Sequence, residues 1–169
     1  MFFLSFLHVT FYNGGSVDFS EITVSNYSNG ISTGTDLTTD IIPDAKDVFS
    51  LTFVATAYAF DITQKDADET SYTNAFGTKS SGANSAFTVT PKMSGTLTLK
   101  VSTSNNGRDQ FKKADTLKVD VDDTTSTSTW PFTTSDEIVT VTFDVEDGKS
   151  YKFYVAGSNR LNLYALSLK

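Results

Sequence analysis

The side chains best placed to do chemistry in this sequence are polar loops and isolated aromatics, not a nucleophile with its base. His8 is the only histidine and there is no cysteine. A Ser-His-Asp arrangement would have to use His8, and no serine sits in a nucleophile-elbow motif. Disulfides and thiolate metal sites are excluded with the cysteines. Two carboxylates alone suffice to cleave a glycosidic bond. The 20 acidic residues offer many pairs, mostly in turns or on wet strand faces, and the sequence selects none. We read the chain as non-catalytic.

Sugar recognition is the chemistry these residue types suit. A sugar ring presents an apolar C–H face, met by an aromatic ring, and a rim of hydroxyls, met by amide, carboxylate and basic side chains. Trp130 stands among Thr and Ser and precedes Pro131; it either stacks on a ligand or plugs the edge of the core. Tyr72 is a second candidate ring. Asn105, Asn106, Gly107, Arg108 and Asp109 form a polar loop just after a clear strand, with Lys112 and Lys113 close behind. Arg108 and Lys112 are suited to grip a uronic-acid carboxylate, so an acidic, pectin-like polysaccharide is among the expected partners. The alternative is a solvated turn whose cations pair with nearby acids.

Metal binding has a narrower basis. Asp66, Asp68 and Glu69 form an oxygen-rich cluster, and Asp120, Asp122 and Asp123 form another. Calcium takes several such oxygens, often from one loop, but neither cluster has the spacing of an EF-hand. The first is the candidate calcium site; the other reading is a solvated acidic loop.

The elements that must position these residues are strands. Thr96-Leu97-Thr98-Leu99-Lys100-Val101, Leu117-Lys118-Val119-Asp120-Val121 and Val139 to Val145 alternate apolar and polar residues. Such a period puts every apolar side chain on one face and leaves the other wet, as in antiparallel sheets packed on a core. Further strands are expected at Phe2 to Tyr12, Glu21 to Ser25, Val48 to Thr56, Tyr58 to Thr63, Ala86 to Thr90, Tyr151 to Ala156 and Leu161 to Lys169. Turn residues separate them at Asn13-Gly14-Gly15, Pro91 to Gly95, Glu146 to Lys149 and Gly157-Ser158-Asn159. Three long loops are expected, at Asn26 to Ile42, Gln64 to Ser85 and Asp122 to Ser135. No capped helix is evident. About ten strands without helices imply one all-β domain over residues 1–169, a sandwich or a barrel, with an antiparallel two-sheet β-sandwich the expected form.

Composition agrees. The chain has 14 Phe, 7 Tyr and 1 Trp, types that favour strands. Its net charge of −7 lacks the basic surface that nucleic acid requires. Met1 to Leu7 has neither a basic flank nor a small-residue cleavage site, so it reads as a first strand, not a leader. No segment is long enough for a transmembrane helix.

Ala86-Phe87-Thr88-Val89-Thr90-Pro91, Ser94-Gly95-Thr96-Leu97-Thr98-Leu99 and Asn106-Gly107-Arg108 form one familiar run. Phe143 to Tyr151 and Leu161 to Leu166 complete it. Together they make the C-terminal half resemble β-jelly-roll modules appended to bacterial polysaccharide-degrading enzymes. The resemblance implies a non-catalytic carbohydrate-binding module for a plant or microbial polysaccharide, placed outside the cell as a mature or excised domain. A second reading is a structural subunit of a virion or surface filament. Its N-terminal strand would then pair with a neighbouring chain as a homo-oligomer.

Overall fold

The computed structural model describes residues 14–19, 30–40, 45–104, 114–133 and 138–169. The described residues form eleven strands and one helical turn: β1 (Gly15–Asp18), α1 (Leu37–Asp40), β2 (Phe49–Phe53), β3 (Ala57–Lys65), β4 (Ser71–Thr78), β5 (Phe87–Pro91), β6 (Gly95–Ser104), β7 (Asp115–Val121), β8 (Thr124–Phe132), β9 (Val139–Val145), β10 (Tyr151–Val155) and β11 (Arg160–Leu168). Among the described residues no helix is long and apolar enough to cross a membrane.

The strands make two antiparallel sheets. The larger runs β3-β4-β11-β6-β9, with β1 also paired to β11, and the smaller runs β2-β5-β10-β7-β8. From β4 onward, every connection except the β7–β8 hairpin crosses from one sheet to the other. This winding gives the orders β4-β11-β6-β9 and β5-β10-β7-β8, the eight-strand jelly roll expected from the sequence.

Alternation dictates the core. Leu97, Leu99 and Val101 of β6 face inward with Leu163, Leu166 and Leu168 of β11, and meet Phe87, Val89, Leu117, Val119 and Phe153 of the smaller sheet. Phe87 and Phe153 stack at 5.4 Å. Phe143 is met edge-on by Trp130, Tyr151 and Phe153.

Two expected loops contain strands. The segment Gln64 to Ser85 holds β4, whose alternation is masked because small residues such as Ala75 and Gly77 are buried too. The segment Asp122 to Ser135 holds β8, the last strand of the smaller sheet among the described residues, whose outward positions are exposed Thr and Pro131. An edge needs β-branched residues, not apolar alternation, and tolerates proline. The stretch Asn26 to Ile42 includes α1, a single turn capped by Asp36. The Asp36 carboxylate accepts from the Thr38 amide at 3.0 Å and the Thr38 hydroxyl at 2.8 Å. The strands expected at Phe2 to Tyr12 and Glu21 to Ser25 lie outside the described residues.

Candidate functional site

The register of the larger sheet decides which polar residues share its outer face. Asp18 of β1 lies opposite Ala165 of β11, Ala165 opposite Lys100 of β6, and Lys100 opposite Thr140 of β9. The next row outward is Ser16, Ser167, Thr98 and Thr142. Directly opposed residues project to the same side of a sheet, so the wet halves of four alternating strands become one polar grid. Their inward neighbours Val17, Leu166, Leu99 and Val141 fill the core.

The β3–β4 hairpin closes one end of this grid. Its tip is wound around Asp66, whose Oδ1 accepts from the amides of Asp68 and Thr70, each at 3.0 Å. Oδ2 accepts from the Lys100 ammonium at 2.7 Å, and Lys100 also donates to the Thr140 hydroxyl at 2.8 Å. The Ile138 amide donates to the Lys65 carbonyl at 3.1 Å, tying the hairpin to the chain entering β9. Tyr72 packs there with Ala75, Ile138 and Tyr164, its ring 6.3 Å from that of Tyr164. A bulge in β11 between Leu163 and Ala165 keeps the strand in phase around Tyr164.

The result is a groove of about 200 Å³ lined by residues that include Ser16, Asp18, Tyr72, Thr98, Lys100 and Ser167. An adjoining hollow of about 170 Å³ shares Ser16 and Ser167 and runs on to Lys169. The groove combines a phenol ring, a carboxylate, an ammonium and several hydroxyls. Lys100's hydrogen bond holds the Asp66 carboxyl below the usual carboxylate range, against the opposing pull of burial. Burial pushes the Tyr72 phenol up, with Asp66 and Asp18 adding to that and Lys100 opposing it. A general acid for glycoside cleavage needs a carboxyl held protonated near neutrality, and Asp66 is pushed the other way. The arrangement is equipped to hold a polyhydroxylated ligand by hydrogen bonds.

No protein-family model matches the sequence, and no curated protein matches it. Solved structures of similar shape exist. One is the catalytic unit of a GH87 α-1,3-glucanase from Streptomyces thermodiastaticus, with a TM-score of 0.43 and 11% identity over 72% of this chain and 26% of that one. Another is the Clostridium perfringens ZmpB M60 catalytic domain with its CBM51-1 and CBM51-2 domains. There the TM-score is 0.47 and identity 14%, over 92% of this chain and 15% of that one. A third is the CBM51 from Clostridium perfringens GH95 in complex with methyl-galactose, at 0.42 and 11% over 90% of this chain and 99% of that one. The chain thus spans about a quarter of the glucanase and less of the ZmpB chain. At these identities and scores none of the three assigns a ligand to this chain.

The residues expected from the sequence are dispersed. Tyr72 and Asp66 belong to the groove and its end wall. Asp68 and Glu69 are exposed on the hairpin, and Glu69 pairs with Lys65 at 2.8 Å. The Asp66 oxygens are therefore committed to Lys100 and the turn amides, and among the described residues no group of three or more acidic or imidazole side chains is gathered for a metal ion. Trp130 lies opposite Leu117 and turns inward, half-buried, with its ring 5.7 Å from Phe143. It closes the edge of the sandwich where β8 and β9 end the two sheets. Asn105, Asn106, Arg108, Asp109 and Lys112 lie outside the described residues.

Sequence reasoning missed Lys100, Asp18, Thr98, Ser16 and Ser167. The available signal is the wet half of each alternating strand, a pattern that solvation alone also produces.

Proposed function

We propose that this chain is a non-catalytic carbohydrate-binding domain that works outside the cell, and that sugar is held in the groove on the outer face of the larger sheet. The observation that carries this reading is the register-built row Asp18–Ala165–Lys100–Thr140, flanked by Ser16, Ser167 and Thr98 and ended by Tyr72. Carboxylate and ammonium groups both bond vicinal hydroxyls strongly, because charge-assisted hydrogen bonds exceed neutral ones. The Ala165 methyl, the Lys100 stem and the edge of Tyr72 offer apolar surface for the C–H face of a ring. Asp66 anchors Lys100 and Thr140 orients it, so part of the ordering cost is met before the ligand arrives. The hollow running on to Lys169 gives a glycan chain room to continue along β1 and β11.

The test is titration of the whole chain with a panel of plant and microbial oligosaccharides, followed by amide chemical shifts. Saturable binding that moves resonances of Ser16, Asp18, Thr98, Lys100 and Ser167, and is lost in Thr98→Trp, supports the reading. Arg108→Ala serves as the parallel variant for the segment that follows β6 in the chain. Binding that survives Thr98→Trp and fails in Arg108→Ala would move the site to that segment. No binding to any glycan would overturn the function itself.

A further inference from the structure

The larger sheet carries a second, smaller cluster on its outer side. Leu163 and Leu166 of β11 both enter the main core, yet they stand three positions apart where regular alternation would set them two apart. The bulge between Leu163 and Ala165 absorbs the extra residue. Tyr164 and Ala165 therefore both belong to the outer face. Ala165 lines the groove, while Tyr164 packs with Tyr72, Ala75 and Ile138. The rings of Tyr164 and Tyr72 meet edge-on, with centres 6.3 Å apart and planes at 64°. Tyr164 is fully buried, so it meets no ligand itself.

Polar groups hold Tyr164 as well as packing. Its hydroxyl shares a hydrogen bond with the Ser102 hydroxyl at 3.0 Å. Asn162 Nδ2 donates to Ser102 Oγ at 3.1 Å, and the Ser104 hydroxyl donates to Asn162 Oδ1 at 3.3 Å. All four side chains are buried. A phenylalanine would fill the same space without taking a hydroxyl out of water, a step that costs free energy unless the hydroxyl is bonded. What the connected network adds is one fixed geometry, where apolar contacts alone allow several. We infer that Tyr164 is a positioning residue for sugar binding, which rests on the reading above. Held through Ser102 and Asn162, it fixes the Tyr72 ring that borders the groove.

The experiment titrates methyl glycosides of glucose, galactose and N-acetylglucosamine by calorimetry, well below the melting temperature of each protein. It uses the wild type, Tyr164→Phe, Ser102→Ala, Tyr72→Leu and the double variant Tyr72→Leu with Tyr164→Phe. Tyr164→Phe and Ser102→Ala should each weaken binding roughly two- to tenfold, the range set by ordering one side chain. Tyr164→Phe should add nothing once the Tyr72 ring is gone. With no sugar present, the Tyr72 ring should flip faster in Tyr164→Phe, read from its aromatic resonances. Lower melting temperatures with unchanged affinity would make the network purely structural and overturn the inference. A Tyr164→Phe effect that persists in the Tyr72→Leu background would overturn it too, as would a Tyr72 ring that flips no faster. Absence of wild-type binding to all three glycosides, or binding that survives Thr98→Trp, would instead remove the sugar site in the groove on which the inference depends.

Discussion

Lys100 and Asp66 meet at 2.7 Å, joining the centre of the larger sheet to the tip of the β3–β4 hairpin. The Asp66 side chain is only 2% exposed. The contact fixes both the end wall of the groove and the direction of the Lys100 ammonium that lines it.

Breaking that pair leaves a covered carboxylate without its main partner. Lys100→Met is expected to cost about 1–3 kcal/mol at pH 7, between the values for surface and buried pairs. The folded-state carboxyl of Asp66 is held below its ordinary value of 3.8, so the stability it contributes is present above that pH. It is lost as pH falls through the lower, folded value. Urea denaturation at pH 7 and pH 3 should therefore show a smaller gap between wild type and Lys100→Met at pH 3. A gap that widens on acidification would contradict the assignment.

Asp115 and Gly157 form a second lock, between the start of β7 and the turn before β11. Asp115 Oδ1 accepts from the Gly157 amide at 2.7 Å, and Oδ2 accepts from the Asn159 side chain at 2.9 Å. A Cβ on Gly157 would lie 2.7 Å from that carboxylate. Gly157→Ala and Asp115→Ala should each destabilise by about 1–3 kcal/mol. Because Asp115→Ala removes the obstructing carboxylate, the double variant should cost less than the sum. Additive losses in thermal melts would show that the two do not act as one unit.

Trp130 is the single tryptophan, so emission excited selectively from tryptophan, and not from the tyrosines, reports on the β8–β9 edge alone. Trp130→Phe is expected to cost about 1–2 kcal/mol through weaker packing on Phe143. Ligand held in the groove should leave the emission maximum of the wild type unmoved. A blue shift on adding glycan would place stacking at Trp130 instead.

The hairpin tip carries a local misfit. Glu69 has φ of 63°, a left-handed conformation that disfavours side chains. Glu69→Gly should raise stability by up to about 1 kcal/mol, since the exposed pair with Lys65 contributes little. Sugar affinity should stay within error, because Asp66 keeps the turn amides of Asp68 and Thr70. A loss of stability would mean that Glu69 holds the hairpin through its side chain.

How much of the molecule was legible follows from the range of each signal. Alternation is local, so Thr96 to Val101 and Val139 to Val145 reveal strand, phase and inner face without knowledge of their neighbours. About ten such strands without a helical repeat, in a Phe-rich chain, then leave a sandwich or a barrel. Edge strand β8 and the small-residue strand β4 escaped because their stability comes from pairing, which composition does not display.

Local sequence carries the class of the fold, the inward residues of most strands and their polar outward faces, because successive side chains of a strand point to opposite sides. Which polar residues meet is settled by the long-range packing. Lys100 and Asp66 are 34 positions apart, and Asp18 reaches their row only because β1 pairs with the last strand. It also turned Trp130 into the sandwich edge. Register and strand order are set by the packing of the whole core, and no local pattern encodes them.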